Sequence, residues 1–229
     1  MSISASFSNH ITGICHRIMA IPRRQYHRQK AKRNKNYSPT IVCNNCTGGV
    51  MLHDLGLRFN TPTINTLFYS FDDFFFFCLH IKELQHVELQ KEETNEFKYP
   101  IASLFFNERK IRIGLVHYKS FEEGKMIWEK RFKRVNLNNI FFIYESPNVT
   151  ECDAISFFQK YPHNGMIISK KNETLAYKNY FGEDFYENWY PGKILDFRNL
   201  FSMKRFLDNI DYISFINVKN KVKVISTIK

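Results

Sequence analysis

Thr40-Ile-Val-Cys43-Asn44-Asn45-Cys46-Thr47-Gly48-Gly49-Val-Met-Leu-His53-Asp54-Leu55-Gly56 is the stretch whose reading decides the fold. Thr40–Cys43 is a short β-branched run that ends in two asparagines, the pattern of a buried strand. A glycine pair follows, and Val50–Leu55 is helix-like and closed by Gly56. Strand, glycine loop and helix in that order form the unit from which sheets with parallel strands are assembled.

The alternation continues downstream. Asn60-Thr61-Pro62-Thr63 makes a turn, and Ser70 with Asp73 three residues on caps a helix through Phe74, Phe75, Cys78 and Leu79. Ile101–Phe106 and Ile111–Val116 read as a hairpin about a polar turn. Ser120-Phe-Glu-Glu123 matches the capping box and opens a helix to about Arg134, with Phe121, Trp128, Phe132 and Val135 on one face. A strand over 139–144, a helix over 151–160, a strand over 165–169, a helical stretch over 202–209 and a final strand over 212–218 complete the pattern. The expected fold is α/β: a single domain whose largely parallel sheet is flanked by helices.

Upstream lies a segment of different composition. Of the 229 residues, 33 are Lys or Arg and 22 Asp or Glu, for a net charge of +11. Residues 1–36 carry eight of the basic side chains and no acid, so the rest of the chain holds only +3. Phe7, Ile11, Ile14, Cys15, Ile18, Met19 and Ile21 form a helix-compatible apolar pattern within it, punctuated by Pro22. The division expected is a basic, amphipathic helical arm over 1–37 and an α/β domain over 38–229. Such an arm fits an anionic membrane surface and equally a frayed, solvated extension. No recognition module accompanies the charge, so nucleic acid is not an expected partner.

The longest apolar run, Phe74–Leu79, is far short of the ~20 residues that span a bilayer, and no secretory signal precedes the body. Five cysteines fit reduced thiols. The expected location is the cytoplasm, with peripheral contact at the inner membrane face.

Candidate chemistry gathers near predicted strand ends, where open α/β sheets bind ligands. His53-Asp54 and His117-Tyr118-Lys119-Ser120 bring groups suited to proton transfer and charge stabilisation. Gly48-Gly49 between strand and helix would let backbone amides approach a phosphate, but neither GxGxxG nor the P-loop pattern is present. Cys43-x-x-Cys46 has no second pair, and Asp72-Asp73 and Glu151-x-Asp153 sit at helix starts where acids complement the dipole. No metal and no cofactor is expected.

Two blocks taken together, Asn44-Asn-Cys-Thr-Gly-Gly49 through Leu55-Gly-Leu57 to Asn60-Thr-Pro-Thr63, and His117-Tyr-Lys-Ser-Phe-Glu-Glu123 with Trp128 and Arg131, resemble the DUF1919 family over roughly residues 38–215. These are bacterial domains without an assigned reaction, described as exopolysaccharide biosynthesis proteins. Three departures from the family's pattern stand out: Cys43 replaces a common serine, so the Cys-x-x-Cys spacing is incidental; Thr61 replaces a serine and keeps its hydroxyl; Ala102 replaces a glycine. The resemblance implies an α/β fold and a role in making or decorating surface polysaccharide. It marks Asn44, Asn45, Cys46, Gly48, Gly49, Leu55, Gly56, Asn60, Pro62, Thr63, His117, Tyr118, Lys119 and Ser120 as motif residues.

The leading expectation is a glycan-directed transferase. Asn44, Asn45, Gly48, Gly49, Asn60, Thr61, Thr63, Tyr118 and Ser120 would bind an activated sugar donor and a glycan acceptor, while His117 and Lys119 handle proton and charge. A second reading makes Cys46 an acyl-transfer nucleophile, with an acyl donor and His53 or His117 as base. A third is a non-catalytic assembly protein of the synthesis complex.

Overall fold

In the computed structural model, residues 3–184, 190 and 192–218 are described. The final residues of the expected body, 219–229, lie outside them.

The middle layer is a four-stranded parallel sheet in the order β1 (Thr40–Cys43), β6 (Ile140–Glu145), β7 (Gly165–Ser169), β8 (Tyr180–Gly182). The first three strands are buried on both faces, which is why they read as continuous apolar runs. One face, with Ile41, Cys43, Phe141, Ile143, Met166 and Ile168, packs on α2 (Thr47–Asp54), a 3-10 turn over Phe206–Asn209 and α7 (Tyr212–Ile216). The other, with Val42, Phe142, Tyr144 and Ile167, packs on α3 (Phe71–Leu79), α5 (Phe121–Phe132) and α6 (Glu151–Lys160). The α/β fold is as expected. An antiparallel sheet not anticipated as such builds on the hairpin, ordered β2 (Leu67–Phe68), β5 (Arg109–Gly114), β4 (Ile101–Phe106), β3 (Gln90–Glu92).

Local chemistry explains the boundaries. Ser70, Ser120 and Thr150 each accept from the amide three residues on, capping α3, α5 and α6. At Ser120 the box is offset: Glu123 reaches back to the amide of Lys119, at 2.9 Å. Asn107 and Glu108 both take positive φ, 48° and 61°, so the hairpin closes in two residues and β5 begins at Arg109 rather than Ile111.

Three expectations are corrected. Gly48 and Gly49 form the first turn of α2, not a loop. The 202–209 stretch contributes only the short 3-10 turn. Residues 212–216 are helix, not strand, because Asp211 caps Ser214 and Tyr212, Ile213, Phe215 and Ile216 bury at helical spacing. A short apolar run carries no intrinsic choice between these states.

The basic segment is one helix, α1 (Ile3–Ala31), continuous through Pro22. Its second half is held by the body. Arg23 Nε donates to the Ser202 carbonyl at 3.0 Å and its guanidinium lies 3.6 Å over the Phe197 ring. Lys30 pairs with buried Asp208 and sits 4.0 Å from the Tyr212 ring. Among the described residues no helix is long and apolar enough to cross a membrane.

Candidate functional site

β1 and β6 are adjacent and parallel, yet the helices that follow them leave to opposite faces, α2 to one core and α6 to the other. Divergence of that kind opens a crevice beyond the strands' carboxyl ends. A cavity of about 770 Å³ occupies the place, with Asn44–Thr47 after β1 and Tyr144–Asn148 at the end of β6 on one side. Thr66–Tyr69, Tyr99, Val116 and His117 come from the antiparallel sheet and its loops; Gly192 and Leu195 complete the wall.

The floor is built by asparagines. The side chain of Asn44 continues β1 in place of backbone: its Nδ2 donates to the Glu145 carbonyl at 3.0 Å and its Oδ1 accepts from the Glu145 amide at 2.9 Å. The carbonyl of Asn44 accepts from Phe68 at 2.8 Å, tying the parallel sheet to the antiparallel one. Asn45 donates to the Glu145 carboxylate and accepts from the Thr47 amide at 3.0 Å. Glu145 is thus a carboxylate only 2% exposed, aimed at a cavity. The hydroxyl of Thr66, fully buried in the same wall, has no hydrogen-bond partner among the described residues.

The sequence-selected residues divide into three groups. Asn44, Asn45, Cys46 and His117 come together at the cavity. A second group braces the scaffold around it. Thr63 Oγ1 accepts from the Cys43 amide at 3.1 Å, and Thr61 bonds Thr63 at 3.1 Å. Asn60 donates to Ser38, and Tyr118, buried, donates to the Ile64 carbonyl at 2.9 Å while accepting from Arg131. Ser120 caps α5, and Lys119 is exposed beside it. Gly48 and Gly49 are spacers: a Cβ on Gly48 would meet Cys43 Cβ at 2.8 Å and one on Gly49 would meet Ile64 at 3.2 Å.

His53 and Asp54 form the third group, at the far end of α2. The His53 ring is 76% exposed, while Asp54 is buried, paired with Arg205 and 3.4 Å from His27 Nδ1. His53 therefore does not meet Cys46 across the cavity.

Electrostatics narrows the chemistry. Burial pushes the Cys46 thiol up to about 11, which keeps it protonated and un-nucleophilic at neutral pH. The amide of Thr47, first in α2, is taken by the Asn45 side chain. Among the described lining residues the ionisable groups besides thiol and phenols are Glu145 and His117. Four aromatic residues line the cavity: Phe68 and Tyr144 are buried and packed on Phe74, while Tyr69 and Tyr99 lie against Phe97 and keep part of their surface open.

Residues 18–217 match the domain of unknown function DUF1919. The chain belongs to the DUF1919 family. An uncharacterised protein of Haemophilus influenzae is 29% identical over 189 residues, covering 80% of this chain and 85% of the relative. The DUF1919 match begins twenty residues before Ser38, and so takes in the part of α1 whose Arg23 and Lys30 the body holds.

Glu145 and Thr66 were missed by sequence reasoning. Glu145 had a signal: it is the carboxylate directly after the apolar run Ile140–Tyr144, where a parallel strand delivers a side chain to a ligand crevice. Thr66 had none, since only the closure of the antiparallel sheet brings it into the wall.

Proposed function

We propose that the cavity binds and activates a sugar hydroxyl, as the acceptor site of a glycan-directed transferase that builds or decorates a surface polysaccharide. The observation that carries this reading is Glu145: a buried carboxylate at the carboxyl end of a central parallel strand, opening on an aromatic-walled cavity of about 770 Å³. The partly exposed rings of Tyr69 and Tyr99 offer apolar surface to a sugar ring, and carboxylate, amide and hydroxyl groups in the lining suit its hydroxyls. A lining whose carboxylate is buried favours a neutral, hydroxyl-rich ligand over a phosphate.

In this mechanism Glu145 accepts the proton of the bound hydroxyl as its oxygen forms a bond to the electrophilic carbon of the activated donor. The bond from that carbon to the leaving group breaks with its electron pair. His117, exposed in the cavity lining, delivers a proton to the leaving group, and solvent resets both residues. A Cys46 thiolate is not favoured as nucleophile, because burial holds the thiol protonated.

The test is complementation in the host. A strain lacking this protein is given wild type, Glu145→Gln or His117→Ala, and its surface polysaccharide is quantified and its linkages mapped. Glu145→Gln is expected to fold as wild type, since the amide still accepts from Asn45, and to fail to restore the polysaccharide. Full restoration by Glu145→Gln overturns the reading.

A further inference from the structure

We infer that the outward face of α1 is a docking surface for an anionic lipid membrane. This goes beyond the cavity and stands independently of it. α1 divides its residues by face. Arg23, Lys30 and the half-buried His27 point inward, to the Ser202 carbonyl, Asp208 and Asp54. Ile14, Ile18 and Ile21 lie on the opposite side at i, i+4, i+7 spacing, and are 45%, 63% and 66% exposed. Arg17, Arg24, Arg28 and Lys32 are exposed around them and make no ion pair among the described residues. In the sequence the same spacing runs back through Ile11 and Phe7.

An exposed apolar stripe bordered by cations fits either a lipid interface or another helix. Charge decides between them. Residues 1–36 contain no acid, so a second copy of α1 would set arginine against arginine along the seam. A surface of anionic headgroups meets the cations and receives the isoleucines together, each cation contributing electrostatic attraction. Since Arg23 and Lys30 are committed to the body, α1 is clamped with its stripe facing out, and binding would orient the whole domain rather than tether it loosely.

The experiment is co-sedimentation of the full chain with vesicles of phosphatidylcholine alone or with one-third phosphatidylglycerol, beside sedimentation velocity without lipid. Wild type should pellet with the anionic vesicles, release in 0.5 M NaCl, and stay monomeric in solution. Ile18→Glu with Ile21→Glu, both exposed and harmless to the core, should lower binding at least tenfold with an unchanged Tm. Each of Arg17→Gln, Arg24→Gln and Arg28→Gln should lower it about fivefold. Equal binding to both vesicle types, no binding to either, or a dimer that the Ile18/Ile21 variant dissolves overturns the inference. None of these results touches the Glu145 test, which reads the cavity alone.

Discussion

Asn44 shows how much one side chain carries. Its amide bonds both backbone groups of Glu145 and so fixes the residue that presents the buried carboxylate. Asn44→Ala leaves a buried N–H and C=O unpaired, each worth roughly 1–3 kcal/mol, so urea unfolding should show a loss of about 2–4 kcal/mol. Asn44→Asp keeps the acceptor but not the donor, and is expected to be destabilised as well. At Cys46 the prediction concerns pH. With the thiol near 11, alkylation by iodoacetamide should be slow at pH 7 and climb about tenfold per pH unit towards pH 10, whereas exposed Cys152 should be modified first. Mass spectrometry of partly alkylated protein distinguishes the two sites. Fast labelling of Cys46 at pH 7 would restore the nucleophile reading. Residue types announced this region in the sequence, but not the roles: the asparagine pair reads equally as ligand-binding or as a brace, and only the partner, 101 residues away, decides.

At the scale of elements, the legible features were those with local causes. The caps at Ser70 and Ser120 need only residues three apart, and the buried strands at 40–43, about 140–144 and 165–169 need only apolar runs of the right length. Where the cause is tertiary, reading failed. Residues 212–216 became helix because their apolar side chains cover one face of the parallel sheet, and β2 and β3 are too short to declare themselves outside their pairing with the hairpin. The glycine pair teaches the same lesson. Gly48 lets α2 lie against β1, so Gly48→Ala, with its Cβ 2.8 Å from Cys43 Cβ, should cost about 1–3 kcal/mol as an overpacked contact. If the variant melts as wild type, the close helix–strand approach is not what the glycine serves. With the Thr47 amide already taken by Asn45, inorganic phosphate up to millimolar concentration should leave the melting temperature of wild type unmoved.

For the molecule as a whole, α1 is the element whose meaning changed most. Its second half is part of the body, joined to residues 197–212 through Arg23 and Lys30, with Arg33 just past its end pairing with Asp211. Lys30 and Asp208 are both buried, and removing one partner of such a pair costs roughly 3–5 kcal/mol. Lys30→Ala should therefore lower stability by about that amount, and removal of residues 1–35 should lower it further, both measurable by chemical denaturation. A truncated chain of unchanged stability would mean that the helix rests on the body without supporting it.

What the sequence determined by itself was the alternation of strand and helix, the asymmetric placement of charge and the carboxyl-end location of the polar motifs, since each follows from periodicity or composition within a few residues. What only the tertiary structure decided was the division of labour among those motifs. Placing β1 beside β6, two strands almost a hundred residues apart, sends their helices to opposite faces and opens the crevice. That pairing turns Asn44 into a brace and Glu145 into the group that faces the cavity, while the body takes the inward cations of α1 and leaves the others to solvent.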